Sequence, residues 1–196
     1  LHPPTLEDLP LLDRIAQGKV RHCNICATSS PAFKGGDADA VCPNCGSTRR
    51  ARSIFRVLAE SILLYRRLPA LGVGMPDALQ EFWSFQFQGK KMDNPEFAEM
   101  MATVGRIDFA KDRLGLVGLN DALQGSGADG DQKILSEVAR LLKPDGTLLV
   151  SGDVPAAQIT PLTDRLGLRL VASERYTSPV IRFAWEPVLV FRKALA

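Results

Sequence analysis

By its pattern of apolar and polar positions the chain divides into a polar, turn-rich head and a longer body of short apolar runs and amphipathic stretches. In the head, Leu9 to Ala16 predicts a short helix that Gly18 ends, with Pro10 tolerated in the first turn. Ser53 to Arg67 carries Ile54, Val57, Leu58, Ile62 and Tyr65 at helical spacing, which predicts an amphipathic helix closed by Pro69. From residue 70 the rhythm changes. Ala70–Val73 predicts a strand entering the turn Gly72-Val73-Gly74-Met75-Pro76-Asp77, and Ala78–Phe82 a helix. Trp83–Phe87 alternates as a strand would, with Trp83, Phe85 and Phe87 turned to a core. Pro95–Val104 predicts a helix, and Leu114–Leu119 an apolar strand ending in the polar pair Asn120-Asp121.

After the Gly/Asp-rich loop 126–131, Asp131 is placed to cap the next helix. In Gln132–Leu142 the residues Ile134, Leu135, Val138, Leu141 and Leu142 form one stripe. Lys143-Pro144-Asp145-Gly146 is a stop and turn before the buried-strand run Thr147–Val150. Thr160–Leu166 predicts a further helix, and Leu168–Ala172 and Pro187–Phe191 predict closing strands. Alternating units of this length predict an α/β fold, a mostly parallel sheet covered by helices. The head takes residues 1–67 and the body residues 68–196.

Composition narrows the class. An apolar fraction of 45% with 23% charged residues fits a soluble globular protein, and 196 residues suffice for one core and a small appendage. No apolar run reaches a membrane-spanning length, so no membrane is expected. The opening LHPPTLEDLP does not read as a signal peptide, which leaves the cytoplasm as the expected compartment. Charge is uneven: residues 1–67 carry ten Lys/Arg against six Asp/Glu, and residues 68–196 fourteen against sixteen. The head is therefore the basic part, with Arg49, Arg50, Arg52 and Arg56 together, and a phosphate-bearing or acidic partner would meet it there. A solvated helix face beside a metal site accounts for the same charges.

All four cysteines lie in the head as C-x2-C-x15-C-x2-C: Cys23, Cys26, Cys42 and Cys45. Zinc takes four ligands in a tetrahedron, and each C-x2-C knuckle aims two sulfurs at one point. In the second knuckle Pro43 fixes one φ and Gly46 tolerates the positive φ that follows the turn. The spacing predicts a closed, structural zinc site, with His22 a surface residue rather than a ligand. Two disulfides would need an oxidising compartment, and redox C-x-x-C motifs do not come in matched pairs.

The segment Gln132–Gly152, QKILSEVARLLKPDGTLLVSG, resembles the helix–turn–strand signature of class I S-adenosylmethionine-dependent methyltransferases. The order of a double-knuckle head, the stretch RRARSIFRVLAESIL and the turn GVGMPD is similar to bacterial members with an N-terminal zinc ribbon. The resemblance covers roughly residues 20–155. It implies a Rossmann-like sheet with helices on both faces, S-adenosylmethionine as cofactor and a small-molecule or biosynthetic-intermediate acceptor. It places Gly72, Gly74 and Asp77 around the cofactor's methionine and ribose end. Asn120 and Asp121 fall at the end of the family's fourth strand, facing the transferred methyl, and Ser151, Gly152 and Asp153 after the fifth. Members put an acidic residue at the end of the second strand to hold the ribose hydroxyls. Here Gln88 stands where the strand end was expected, and Asp93 follows five residues later. The loop's third glycine is absent.

Methyl transfer asks the protein for alignment and, for a hydroxyl or amine acceptor, a base. Asp153 and Asp121 are the candidate bases, with Asn120 positioning the acceptor and Tyr176 a lesser candidate. Each Asp is equally a loop carboxylate capping a turn. Two other functions remain open: a degenerate methyltransferase fold used for binding or another reaction, and a nucleic-acid binder using Arg49, Arg50, Arg52 and Arg56.

Overall fold

The structure is a computed structural model that describes residues 20–35, 40–61, 68–123, 127–174 and 188–195. The expected helix at Leu9–Ala16 lies outside the described residues. The described part of the head has a two-stranded ladder, β1 (Arg21–His22) against β2 (Ser29–Ser30), and a bridge between Lys34 and Val41. Helix α1 (Arg49–Ser61) follows and starts four residues earlier than its apolar spacing suggested.

Among the described residues the body has six strands: β3 (Leu68–Val73), β4 (Phe87–Met92), β5 (Leu114–Asn120), β6 (Leu142–Ser151), β7 (Leu168–Glu174) and β8 (Val188–Lys193). Their order across the sheet is β4-β3-β5-β6-β8-β7. The pairs β3–β4, β3–β5 and β5–β6 are parallel, and β8 runs antiparallel between β6 and β7. Helices α2 (Gln80–Gln86), α3 (Asn94–Thr103), α4 (Gly127–Leu141) and α5 (Ala156–Arg165) connect the strands. This is a Rossmann-like, mostly parallel sheet with helices on both faces.

Strand alternation sorts the core into two halves. On one face Leu71, Val73, Val117, Leu119, Leu148 and Val150 meet Phe97 and Met101 of α3, Leu135 and Val138 of α4 and Ile159 of α5. On the other face Ala70, Leu116, Leu149 and Val190 meet Ala51, Ile54, Val57 and Leu58 of α1 and Trp83 of α2. Helix α1 therefore belongs to the sheet's second core as well as to the head. Between these helices Gly72 and Gly118 lie side by side on neighbouring strands. Trp83 and Met75 fill the trench they leave: a Cβ on Gly72 would come within 2.9 Å of Met75 and 3.0 Å of the indole.

Four elements depart from expectation. Residues 83–86 are helical, so the second parallel strand is Phe87–Met92 and not Trp83–Phe87. Phe85 is accordingly 74% exposed, while Trp83 and Phe87, four residues apart on one side of the chain, are buried. Asp131 lies inside α4 rather than at its start. The LKPDG turn is a loop held within β6: pairing steps from Leu114–Leu142 to Leu116–Thr147, with Asp145 at φ 61° taking the turn. Between β4 and β5 the chain adds α3 and a loop but no strand, so β5 and β6 are the third and fourth strands of the sheet, where fourth and fifth were expected. That loop is fastened by Glu137, which accepts Ile107 N–H, and by Arg140, which donates to the Ile107 and Phe109 carbonyls.

Candidate metal centre and strand-end site

In the head the four sulfurs of Cys23, Cys26, Cys42 and Cys45 all lie within 4.8 Å of one another. Cys23 and Cys45 are 3.7 Å apart, as are Cys26 and Cys42. A tetrahedron with arms of about 2.3 Å has edges of about 3.8 Å, and a disulfide is about 2.05 Å, so the four free thiols have the spacing that a tetrahedral ion would require. Each knuckle closes through backbone bonds, Cys23 N–H to Thr28 O and Cys42 N–H to Ser47 O. The residue after each second cysteine takes positive φ, Gly46 at 69° and Ala27 at 57°. His22 is exposed and bonds Ser29, away from the sulfurs. Burial pushes the Cys26 thiol up, but hydrogen bonds from Thr28 and Asn44 outweigh it and bring the group down to about 6. Burial carries Cys45 up to about 12 despite its bonds from Ser47. The donor set fits a thiophilic divalent cation.

Beside the same amino-terminal end of α1, which Arg50 links to Asp121 and Asp153, the carboxyl ends of β3, β4, β5 and β6 converge. Gly74 follows β3 at φ 62°, and a Cβ there would lie 2.3 Å from Asn120 O and 2.4 Å from Asn94 Oδ1. Packing within the protein already requires glycine. Asn120 is buried, with Nδ2 donating to Gly74 O at 2.8 Å and Oδ1 accepting from Ser151 Oγ at 2.9 Å. It ties the ends of three strands together. Asn94 Nδ2 donates to Asn120 O, while its Oδ1 is buried without a partner.

Asp93 stands immediately after β4, exposed, its Oδ1 accepting Glu96 N–H to cap α3. Gln88 pairs with Pro69 near the amino end of the strand, at the far side of the sheet, so the structure does not bring it to this group. Asp77 is exposed and bonds Gln80. Gly72 faces Trp83 and Met75 rather than an open crevice. Asp121, at φ 55°, and Asp153 flank the ends of β5 and β6.

Arg50 joins the two centres, and sequence reasoning missed this role. Nη1 donates to Asp121 Oδ1 and Nη2 to Asp153 Oδ1, at 2.5 and 3.2 Å. Arg52, two residues on, is buried: it donates to Ser47 O and Ala40 O and lies 4.8 Å from the Phe33 ring centroid. Burial pulls its guanidinium down, and electrostatic attraction towards the cysteine cluster opposes that. Arg50 and Arg52, both part of the nucleic-acid reading, are therefore committed to partners within the protein. Tyr176 lies outside the described residues.

No protein-family model and no curated protein matches the sequence. Solved structures do. The 1,6-didemethyltoxoflavin-N1-methyltransferase of Burkholderia thailandensis, solved with S-adenosylhomocysteine, is 18% identical at a TM-score of 0.54, covering 75% of this chain and 79% of that one. The N-methyltransferase NodS of Bradyrhizobium japonicum is 13% identical at 0.55, over 74% and 95%. A TehB-like methyltransferase of Corynebacterium glutamicum is 16% identical at 0.52, over 74% and 87%. Likeness at these identities is likeness of fold: the chain has the Rossmann-like fold found in S-adenosylmethionine-dependent methyltransferases.

Proposed function

We propose that the protein binds S-adenosylmethionine at the carboxyl ends of β3 to β6 and transfers its methyl group to a small-molecule acceptor, with zinc as a structural ion in the head. The observation that carries the reading is Asp93: a carboxylate directly after the second parallel strand, beside the Gly74 turn, in a fold whose ligands sit beyond strand carboxyl ends. Bound cofactor would supply an already activated methyl group. In this reading Asp93 accepts hydrogen bonds from the ribose hydroxyls, and the unpartnered Asn94 Oδ1 gains a donor from the methionyl ammonium. Asn120 positions the strand ends rather than touching the acceptor. Asp153, 85% exposed, takes the proton that a hydroxyl or amine acceptor releases, while Arg50 fixes the carboxylate's place. Four thiolates close the metal's shell and leave it no catalytic position. The cytoplasm suits four reduced thiols.

Arg50 supports a second reading. Its pairing with both candidate bases suits a repurposed fold in which the strand ends hold the head instead of an acceptor. Calorimetry with S-adenosylmethionine and S-adenosylhomocysteine decides between the two. Asp93→Ser is the informative variant, because serine preserves the helix cap and removes the charge. Wild-type binding weakened by about ten-fold or more in that variant is the expected result, the loss of a charged hydrogen-bond acceptor. A wild-type protein silent towards both cofactor forms would leave the repurposed fold.

A further inference from the structure

Four thiolates around a divalent ion carry a net charge of minus two, and Cys23 and Cys42 are fully buried. Buried charge of this size is costly unless opposite charge or hydrogen bonds meet it. Ser47 Oγ lies 3.2 Å from both Cys23 Sγ and Cys45 Sγ. Against a thiolate the hydroxyl must donate, since sulfur then has no proton to give. Behind the hydroxyl stands Arg52, with Nη1 3.5 Å from Ser47 Oγ and bonded to Ser47 O. Its Nη2 donates to Ala40 O at 2.9 Å, so the guanidinium spans both flanks of the second knuckle. Asn24 of the first knuckle donates to Arg52 O at 3.0 Å. Phe33 covers one side of the cation.

We propose that Arg52, acting through the Ser47 hydroxyl, is the counter-charge of the four-thiolate site, polarising the hydrogen bond to sulfur and holding the metal more tightly. The proposal rests on the metal reading above. Arg52 is a positioning residue here and touches no metal. Arginine suits the task because it stays charged when buried and its fork can hold two carbonyls while facing a third group. A lysine would keep the charge and lose the fork.

The test uses the full chain loaded with zinc, titrated against a chromophoric zinc chelator, and the cobalt-substituted protein for its sulfur-to-metal charge-transfer band. Arg52→Met and Ser47→Ala should each weaken zinc by about 10–100-fold, the usual effect of removing a group that supports metal ligands. Both should move the charge-transfer band to lower energy, as sulfur lone pairs lose their stabilisation. Arg52→Lys should recover part of both signals. A purely structural role would change stability and leave the band in place.

Arg52→Met and Ser47→Ala binding zinc within about two-fold of wild type, with an unmoved band, overturn the proposal. If Arg52→Met fails to fold, Ser47→Ala decides alone, since it removes one oxygen. Wild-type chain that holds no zinc defeats the metal reading itself, an outcome visible before any variant is made.

Discussion

Arg50 and Asp121, 71 positions apart in the chain, form an ion pair that fastens the four-cysteine head to the end of β5. Asp153 completes the contact from β6. Both carboxylates keep solvent exposure, 29% and 85%, so the pair should be weak on its own. A double-mutant cycle with Arg50→Ala and Asp121→Asn, read by urea unfolding, should give a coupling of about 0.5–1 kcal/mol at low ionic strength. Added salt should reduce it. A coupling of zero at low salt would show that the two side chains do not pair.

Metal removal should act mainly on the head. Chelation, or acidification that protonates the sulfurs, releases the ion and the folding energy it supplies. Hydrogen exchange should then quicken across residues 20–35 and 40–48. Helix α1 should loosen less, because Ile54, Val57 and Leu58 are held in the sheet's second core. Cys23→Ser should reproduce the pattern without chelator. Metal content unchanged in that variant would remove Cys23 from the ligand set.

Gly74 and Gly167 separate two costs of replacing glycine. Both take positive φ, 62° and 71°, but a Cβ on Gly167 meets nothing within 4 Å. Gly167→Ala should therefore cost about 1–2 kcal/mol, the conformational term alone. Gly74→Ala adds overlap with Asn120 O and Asn94, and should cost about 2 kcal/mol more by the usual scale of overpacking. Equal losses in thermal unfolding would mean that the strand ends are not packed as described. Loss of cofactor binding in a Gly74 variant would not by itself locate the ligand, since folding suffers too.

Glu137 gives the fold a measurable acid limit. Burial raises its carboxyl, but the hydrogen bonds from Arg140 and Ile107 N–H win and hold it below the ordinary value of 4.5. A lowered carboxylate stabilises the fold above its unfolded value, and that stability is lost as pH falls through the folded one. Glu137→Gln should cost about 2 kcal/mol at neutral pH, the scale of a charged hydrogen bond. The gap between wild type and variant should shrink as pH drops below 4.5. A gap that stays constant down to acid unfolding would refute the assignment.

Much of the sheet was legible because its strands are buried on both faces and read as apolar runs: Leu114–Leu119 and Thr147–Val150 fall inside β5 and β6. The stripe of Ile134, Leu135 and Val138 is likewise buried where α4 meets the sheet. Trp83–Phe87 misled because positions 83 and 87 share a face in a helix and in a strand alike. Only Phe85 distinguishes the two, and it is exposed. That misreading displaced the second strand and hid the place of Asp93 at its end. The cysteine spacing was legible because both knuckles are local. Arg50 was not: its partners, Asp121 and Asp153, come from two distant strand ends, and no spacing along the chain encodes that meeting.

Strand β8 follows β7 in the chain yet lies inside it in the sheet, between β7 and β6. It pairs antiparallel with both of these neighbours. Until residues 188–193 are in place, β6 at Thr147–Ser151 and β7 at Leu168–Glu174 each lack the partner that β8 gives them among the described residues. A nascent chain halted before Val188 is thus a sheet with an adhesive border, ready to take a strand from another copy. Among the described strands, β8 is an insertion rather than an addition. Its arrival joins both of those edges at once and leaves β4 and β7 as the outer strands of the described sheet.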